Sequence, residues 1–412
     1  MEIVIEETRR AVGGVNSIIL AGGFGRGEGT VRKLPDGSYV PMYDYDLYVV
    51  TNIKVSYEVF KTLERQLARK IGVDIDMKII RTCRLKYLIP DMFTFELKVA
   101  SRVIWGKDLR AQIQVEKSDV PLCAGLNTLF IETLALIMNF DPRYLTGEPV
   151  PSKKAPMFDY VCSKVFVEIC NALSLLGDFY DPSLLKRANL FSRRYEAVFP
   201  ELSKMLPDLP SKVKYHTDLK LTNPNFGAGD LMERWLDARV ALEHTLRYFV
   251  SKVLHKPPDA QKELSRFLIA NRRKLASFYF EHYIRYAFNR MRLPTKSILE
   301  KFADPAVRIY ENLRYSRNCY HSHGRLFLAP LLRFESPLMN VYVCAASLLF
   351  SIEENSRVNT ALLDDACRLM RLICPCEAAE WSGLESSRWT SLRDACLTSF
   401  KTYASTPETV SF

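Results

Sequence analysis

The stretch SIILAGGFGRGEG (17–29), together with YDYDLYVV (43–50), decides the fold. The apolar run Ile18–Leu20 is typical of a buried strand, and a glycine-rich turn ends it. A second apolar run, Leu47–Val50, predicts another buried strand. Two such strands on either side of a glycine turn predict that the chain begins with a sheet.

Strand and helix patterns continue on both sides of this stretch. The turn signal PDG (35–37) predicts a small hairpin, and VDIDMKII (73–80) alternates apolar and polar residues as a half-buried strand does. The other predicted elements are helices at Ile3–Val12, near Gly25, at Ser56–Lys70 and at Asp91–Ala100, and a short strand at Arg102–Trp105. Together they predict an α+β domain whose mixed sheet is flanked by helices.

Beyond Pro121 the strand signals fade, and long helical patterns follow one another to Tyr403. Composition shifts near residues 109–121 and 221–229 mark candidate boundaries. They predict a first domain at 1–118, a helical domain at 119–222, and a second helical region at 223–412, either separate from the one before it or continuous with it. The expected fold class is an α+β domain followed by a large all-α region.

Composition favours a soluble protein with an anionic partner. The 412 residues are 48% hydrophobic and 25% charged, and the net charge of +10 favours a nucleotide or RNA as partner. The chain contains no run of about 18 uncharged apolar residues, and the nearest to one, 122–140, carries Glu132 and predicts a buried helix. The N-terminal MEIVIEETRR lacks the order of a signal peptide. We therefore expect a cytoplasmic protein without a membrane segment.

Cysteine and glutamine usage bears on metals and disulfides. The ten cysteines include no paired C-x-x-C array, which disfavours a zinc site. Glutamine is scarce while Lys, Arg and Glu are abundant, a bias that indicates a thermophile. Intracellular disulfides occur in such organisms, but the apolar neighbourhoods of these cysteines favour buried free thiols.

The pair Asp44 and Asp46 is the strongest chemical feature. Side chains at i and i+2 of a strand share a face, and two unpaired carboxylates on a buried strand are costly, so a cation is expected there. Oxygen ligands favour Mg²⁺ or Mn²⁺. Either Asp74 or Asp76, on a strand whose other face is apolar, can supply a third carboxylate. The glycine turn offers backbone N–H groups to phosphates, and Arg26 can neutralise their charge.

Two other phosphate-binding motifs do not fit the glycine turn. The P-loop requires G-x-x-x-x-G-K-[ST], but no lysine follows these glycines. The dinucleotide motif requires G-x-G-x-x-G, but a motif that starts at Gly23 has Glu28 in the sixth position. A motif that starts at Gly25 has Thr30 there. The turn therefore belongs to neither class.

The turn Gly22-Gly23, the D-x-D of Asp44 and Asp46, and the later hydrophobic-Asp-hydrophobic strand resemble the DNA polymerase β-like nucleotidyltransferase superfamily. Its signature is a hydrophobic-Gly-[Gly/Ser] turn followed by D-x-[DE]. The form GGFGRGEG is similar to a subset that includes the uridylyltransferases that modify nitrogen-regulatory proteins. The resemblance covers about residues 17–106. It departs from the usual pattern in the long gap between turn and D-x-D, and in having Gly23 where Ser is frequent.

The resemblance implies a metal-dependent transfer of a nucleoside monophosphate from a triphosphate, such as ATP, to a hydroxyl acceptor, with release of pyrophosphate. Asp44 and Asp46 would bind the metals. Asp76, preferred because it lies deeper in its strand, or Asp74 would bind the catalytic metal and help to deprotonate the acceptor. The acceptor is expected to be a small molecule or a protein side chain, ahead of RNA. The implied nucleotide-binding residues are Gly22, Gly23, Gly25, Arg26 and Glu28.

Two features of the helical region support an alternative function. Residues 266–292 interleave Arg and Lys with Phe and Tyr, which can track and stack RNA, although an amphipathic helix with a charged outer face is the favoured interpretation. Arg317, Asn318 and His323 resemble the Arg-Asn…His pattern of the helical RNase domains called HEPN, although polar residues at a helix end explain them as well. The alternative is a nucleotide-binding, toxin–antitoxin-like or RNA-associated regulatory protein.

Overall fold

The chain divides into two compact units. A computed structural model describes residues 1–33, 36–41, 44–222, 226–227, 229–256, 263–290, 309–320, 335–353, 357–373 and 385–404. The first unit, here called the sheet unit, comprises Met1–Ala124, Gly177–Val198 and Pro210–Pro224. The second, the helical unit, comprises Gly125–Leu176, Phe199–Leu209 and Asn225–Phe412.

The sheet unit is built on a four-stranded mixed sheet. The described strands are β1 (Val15–Leu20), β2 (Val31–Lys33), β3 (Tyr39–Pro41), β4 (Tyr45–Thr51), β5 (Ile75–Arg81) and β6 (Arg102–Gly106). The sheet order is β5-β4-β1-β6, in which β4 and β5 are parallel and the other neighbours are antiparallel. β2 and β3 form a separate antiparallel hairpin. The mixed sheet and the hairpin predicted from the sequence are both confirmed.

One face of this sheet is covered by helices. The helices that accompany the strands are α1 (Glu2–Ala11), α2 (Gly22–Arg26), α3 (Tyr57–Ile71) and α4 (Met92–Val99). Val4 of α1 and Leu67 of α3 pack in one core cluster with Leu47 of β4 and Met77 of β5. Because side chains alternate along a strand, the residues between these apolar ones point to the opposite face, where the predicted carboxylates lie.

Helices dominate the rest of the described chain. The long helical patterns predicted beyond Pro121 are confirmed where their residues are described, and residues 309–320 are helical. Two helices, α8 and α9, were not predicted. The helices are α5 (Leu122–Asn139), α6 (Ala155–Leu176), α7 (Leu184–Val198), α8 (Pro200–Met205), α9 (Leu209–Leu221), α10 (Leu231–Val253), α11 (Leu264–Arg290), α12 (Pro337–Phe350), α13 (Thr360–Ile373) and α14 (Glu385–Ala404).

The division into units differs from the predicted domain boundaries. Segments 177–198 and 210–224, which contain α7 and most of α9, belong to the sheet unit. The predicted helical domain at 119–222 is therefore shared between the two units. The difference has a physical reason: α7 is held by side chains of the first hundred residues, and a local shift in composition does not reveal such a contact.

Helix α5 is the most apolar of the long helices. In the described part of the chain it alone is long and apolar enough to cross a membrane, and 61% of it is buried, as is common for a core helix of a soluble protein. The buried Glu132 carboxylate pairs with Lys164 Nζ of α6 at 2.8 Å. The pairing compensates the cost of removing that charge from water.

The favoured interpretation, buried free thiols, is confirmed at seven of the eight described cysteines and is wrong at Cys83. Eight are free thiols, of which Cys83 is exposed and the other seven are buried. Cys374 and Cys376 lie outside the described residues.

Candidate active site

The predicted carboxylates lie on the sheet face that looks away from the α1–α3 core. In the parallel pair of β4 and β5, Asp46 lies beside Asp76, and Tyr48 lies beside Lys78. The apolar residues between them are buried in the core cluster. Strand alternation therefore brings two carboxylates, a phenol and an ammonium group onto one polar face.

The glycine turn contacts the Asp46 carboxylate. The Ala21 N–H donates to the Asp46 carbonyl oxygen at 2.8 Å. At Gly22, φ is +58°, and a Cβ there would lie 1.8 Å from Asp46 Oδ2. A residue with a side chain would be strained in this backbone conformation and would displace the carboxylate. The predicted turn and the predicted carboxylate thus form one site.

Helix α2 folds tightly against the end of β1. It begins at Gly22, earlier than the sequence predicts. A Cβ at Gly25 would lie 2.3 Å from the carbonyl oxygen of Leu20, so only glycine permits this approach. The Gly23 carbonyl accepts the Glu28 N–H at 2.8 Å, which closes the turn. The three predicted glycines therefore shape the backbone next to Asp46.

The Asp46 carboxyl lies in an acidic, partly dehydrated environment. Burial, together with the nearby charges of Asp44 and Asp76, raises the pKa of Asp46 to about 6. The positive charges of Lys78 and Arg26 oppose this rise. The carboxylates therefore repel one another more strongly than the two cations attract them, which is the electrostatic setting in which a divalent cation is stabilised.

Asp44 and Asp74 each lie just before a strand, and both are exposed. Asp44 precedes β4, and its negative charge contributes to the raised pKa of Asp46. Asp74 precedes β5, and its backbone carbonyl accepts the Tyr45 N–H at 2.9 Å. The charges that mainly raise the pKa of Asp46 are those of Asp44 and Asp76. The geometry therefore favours Asp76 over Asp74 as the third carboxylate of the site.

The donor set fits a hard divalent cation by its chemistry. Asp44, Asp46 and Asp76 offer only carboxylate oxygens, which suit Mg²⁺ or Mn²⁺. Within the part of the chain that is described, no three His, Cys, Asp or Glu side chains lie close enough together to form a ligand cluster. The three carboxylates are thus near enough to interact electrostatically but are not gathered around one point.

The predicted nucleotide ligands Arg26 and Glu28 have partners within the sheet unit. Glu28 Oε1 accepts from Ser183 Oγ at 2.7 Å, and Oε2 accepts from the Leu184 N–H at 3.0 Å, at the start of α7. Arg26 Nε donates to Glu28 Oε2 at 3.3 Å. Both side chains are mostly buried. Glu28 therefore caps α7 and ties the glycine turn to it.

Glu96 of α4 connects to the same group of side chains. Its carboxylate accepts from Arg26 and from the Tyr180 hydroxyl, and Arg187 Nη1 lies 3.8 Å from Glu96 Oε1. Arg187 is almost fully buried and also donates to the Asp181 carbonyl oxygen at 2.5 Å. In this largely buried environment, the positive charges of Arg26 and Arg187 balance the negative charges of Glu28 and Glu96. We call this group the turn network: Arg26, Glu28, Glu96, Tyr180, Ser183 and Arg187.

The polar face includes two residues that were not selected from the sequence, Tyr48 and Lys78. Lys78 Nζ lies 3.4 Å from Asp76 Oδ2. Lys78 could have been selected from the sequence, because the alternation of residues 73–80 puts its side chain on the same face as that of Asp76. No local pattern, in contrast, connects Ser183 with Glu28, since 155 positions separate them.

The basic helix predicted at 266–292 corresponds to α11. The Nη2 atoms of Arg272 and Arg273 lie 2.7 Å and 3.4 Å from Glu335 Oε1. The Tyr279 hydroxyl donates to Asn127 Oδ1 at 3.2 Å. These side chains make contacts within the helical unit, and RNA binding by this helix stays a prediction.

The HEPN-like residues are only partly described. Arg317 is exposed on the helical segment 309–320. The Asn318 amide donates to the Thr402 carbonyl oxygen at 3.0 Å, an internal contact of the helical unit. His323 lies outside the described residues, so the predicted pairing of Arg317 with His323 stays a prediction.

A scan against protein-family models and a search of curated proteins gave no match to this chain. Its function therefore has to follow from the chemistry of the site.

Proposed function

We propose that the chain is a metal-dependent nucleotidyltransferase. It transfers a nucleoside monophosphate from a triphosphate, such as ATP, to a hydroxyl acceptor and releases pyrophosphate. The observation that carries the proposal is the register that sets Asp46 beside Asp76, with Gly22 pressed against the Asp46 carboxylate. A glycine turn next to strand carboxylates is suited to holding phosphates together with divalent cations.

Each residue of the site has a distinct role in this proposal. Asp44, Asp46 and Asp76 would hold Mg²⁺ or Mn²⁺, which supplies Lewis-acid stabilisation of the charge that develops on the phosphates. Gly22 lets the Asp46 carboxylate lie against the glycine turn, which would hold the triphosphate. Asp76, whose side chain is 42% exposed, accepts the proton of the acceptor hydroxyl as that oxygen attacks the α-phosphate. The bond between the α-phosphate and the pyrophosphate breaks in line with the attack.

The turn network changes the roles proposed for Arg26 and Glu28. Their contacts with Glu96 and Ser183 support a positioning role, in which they hold the glycine turn at a fixed place beside Asp46. The acceptor class stays as the sequence favours it, a small molecule or a protein side chain ahead of RNA. A cytoplasmic location, where triphosphates and Mg²⁺ are at hand, is part of the same proposal.

The test uses the full chain, Mg²⁺ and each of the four triphosphates in turn, labelled once at the α-phosphate and once at the γ-phosphate. Fractions of a cell extract containing small molecules, proteins or RNA serve as acceptors. We expect the α-label to enter one fraction while pyrophosphate is released. Asp46→Asn and Asp76→Asn should each lower this transfer by at least about a hundredfold, because each removes a charge that acts on the transferring group.

The matched control is Asp74→Asn, which removes an exposed carboxylate two positions from Asp76 and should leave transfer within about twofold of the unaltered chain. Transfer of the γ-label, or full transfer by Asp46→Asn, would contradict the proposal. Loss of transfer in Asp74→Asn with activity kept in Asp76→Asn would exchange the roles of these two residues.

A further inference from the structure

Lys78 is the one basic side chain described on the polar face formed by Asp46, Tyr48 and Asp76. It lies two positions after Asp76 on β5, so both side chains stand on the same side of the sheet. Its ammonium nitrogen lies 3.4 Å from Asp76 Oδ2. An ammonium group is therefore in place beside the carboxylate that we assign to the acceptor hydroxyl.

Two aromatic rings restrict the position of this ammonium group. Lys78 Nζ lies 5.5 Å from the centroid of the Tyr48 ring and 5.7 Å from that of the Phe93 ring. Both distances fall in the range in which a cation is attracted to an aromatic face. Lys78 Nζ thus lies among the Tyr48 ring, the Phe93 ring and the Asp76 carboxylate.

The charge of Lys78 matters because the site is otherwise acidic. Asp44, Asp46 and Asp76 would together carry three negative charges when ionised, and Lys78 is the nearest compensating group on the same face. Its charge and that of Arg26 act against the rise in the pKa of Asp46. Arg26, however, is bound to Glu28 and Glu96, so its charge is already balanced locally.

We propose that Lys78 is a positioning residue that stands in for the divalent cation: its ammonium group holds the Asp76 carboxylate beside Asp46 while no cation is bound. When a cation binds, the ammonium group competes with it for Asp76. Lys78 thereby keeps the carboxylates in place and sets how much free cation is needed to fill the site. This inference rests on the proposed function, because it assumes that the carboxylates bind a cation.

The test measures Mn²⁺ binding to the full chain, without substrate, from the electron paramagnetic resonance signal of free Mn²⁺. Lys78→Met keeps an unbranched stem between the two rings and removes the charge. We expect its Mn²⁺ dissociation constant to fall about tenfold, as is reasonable for the loss of one repulsive charge close to a partly exposed site. Lys78→Arg keeps the charge and should stay within about twofold of the unaltered chain.

The matched control is Lys98→Met, which removes a lysine that is also paired with a carboxylate of the sheet unit, Glu116, and should not change the Mn²⁺ affinity. If Lys78→Met is insoluble, Lys78→Gln gives the same comparison. Equal or weaker Mn²⁺ binding by a folded Lys78→Met overturns the inference and leaves the proposed function standing. Mn²⁺ binding that is absent, or that survives in Asp46→Asn, overturns the proposed metal site and the inference with it.

Discussion

Asp46 is a partly buried carboxyl of the sheet unit whose surroundings disfavour its ionised form. Its carboxylate lies against Gly22 and beside Asp76, and burial with two like charges raises its pKa from 3.8 to about 6. A residue whose charge is opposed by its own surroundings is typical of functional sites. The alternating pattern predicted its partner Asp76, but only the folded structure shows the contact with Gly22.

Replacing Asp46 by Asn should stabilise the metal-free chain, and more so at high pH. An acid whose folded-state pKa is raised is penalised when ionised, so the penalty is complete above the folded pKa and disappears below the unfolded one. The rise from 3.8 to about 6 sets an upper bound of about 3 kcal/mol at pH 8 and roughly half of that at pH 5. Because the site is partly exposed, we expect a gain of about 1–2 kcal/mol at pH 8.

Urea unfolding at pH 5 and pH 8, in the presence of a chelator, measures this difference. Asp74→Asn serves as the control and should change the free energy of unfolding by less than about 0.5 kcal/mol at either pH. A gain from Asp46→Asn that is the same at both pH values would show that the Asp46 carboxyl has an ordinary pKa.

The elements of the fold follow from the sequence to different degrees. β5 was predictable because VDIDMKII alternates cleanly, and α5 because its apolar residues continue without a break. Helices α8 and α9 escaped prediction because Pro200, Pro207 and Pro210 interrupt the helical spacing, although proline is tolerated in the first turn of a helix. The capping of α7 by Glu28 could not be predicted, because its acceptor comes from a distant part of the chain.

Glu28→Ala should weaken the start of α7. Both the Leu184 N–H and the Ser183 hydroxyl would lose their acceptor, so we expect the free energy of unfolding to fall by about 1–3 kcal/mol. Hydrogen exchange at the Leu184 amide should accelerate, while exchange at Arg187, whose N–H donates to the Ser183 carbonyl oxygen, should change less. Ser183→Ala removes the donor to Glu28 Oε1 and the acceptor of the Lys186 N–H, and should cost about 1 kcal/mol.

The competing assignment makes the opposite prediction for the same variant. If Glu28 served the nucleotide instead of α7, Glu28→Ala would weaken triphosphate binding and leave both the stability and the Leu184 exchange rate unchanged. That outcome would show that Glu28 binds the nucleotide, as the family resemblance implies, and does not cap α7.

At the scale of the whole molecule, the chain alternates between its two units. The sheet unit takes three separate segments, 1–124, 177–198 and 210–224. Sequence composition suggested a boundary at residue 118 because strand signals end near there, and that signal reports secondary structure only. Membership of a unit depends on tertiary contacts, such as those of Glu96 with Tyr180 and Arg187, which have no local signature.

A fragment of residues 1–118 should therefore fail to unfold cooperatively. It keeps Arg26, Glu28 and Glu96 but lacks Tyr180, Ser183 and Arg187, so two buried carboxylates lose part of their partners. The fragment 1–224 contains all three segments and should keep a cooperative transition. Urea unfolding followed by near-ultraviolet circular dichroism measures both, and a sharp transition in 1–118 would show that the first segment is a domain by itself.

The hydrogen bond between Glu28 and Ser183 also has a consequence for the time course of synthesis. Its two residues are 155 positions apart, and a ribosome adds about 5–20 residues per second, so roughly 8–30 s pass between the synthesis of Glu28 and that of Ser183. During that interval the ribosome synthesises residues 125–176, which belong to the helical unit. The contact between the glycine turn and the start of α7 can therefore form only after residues 125–176, the first segment of the helical unit, have been synthesised.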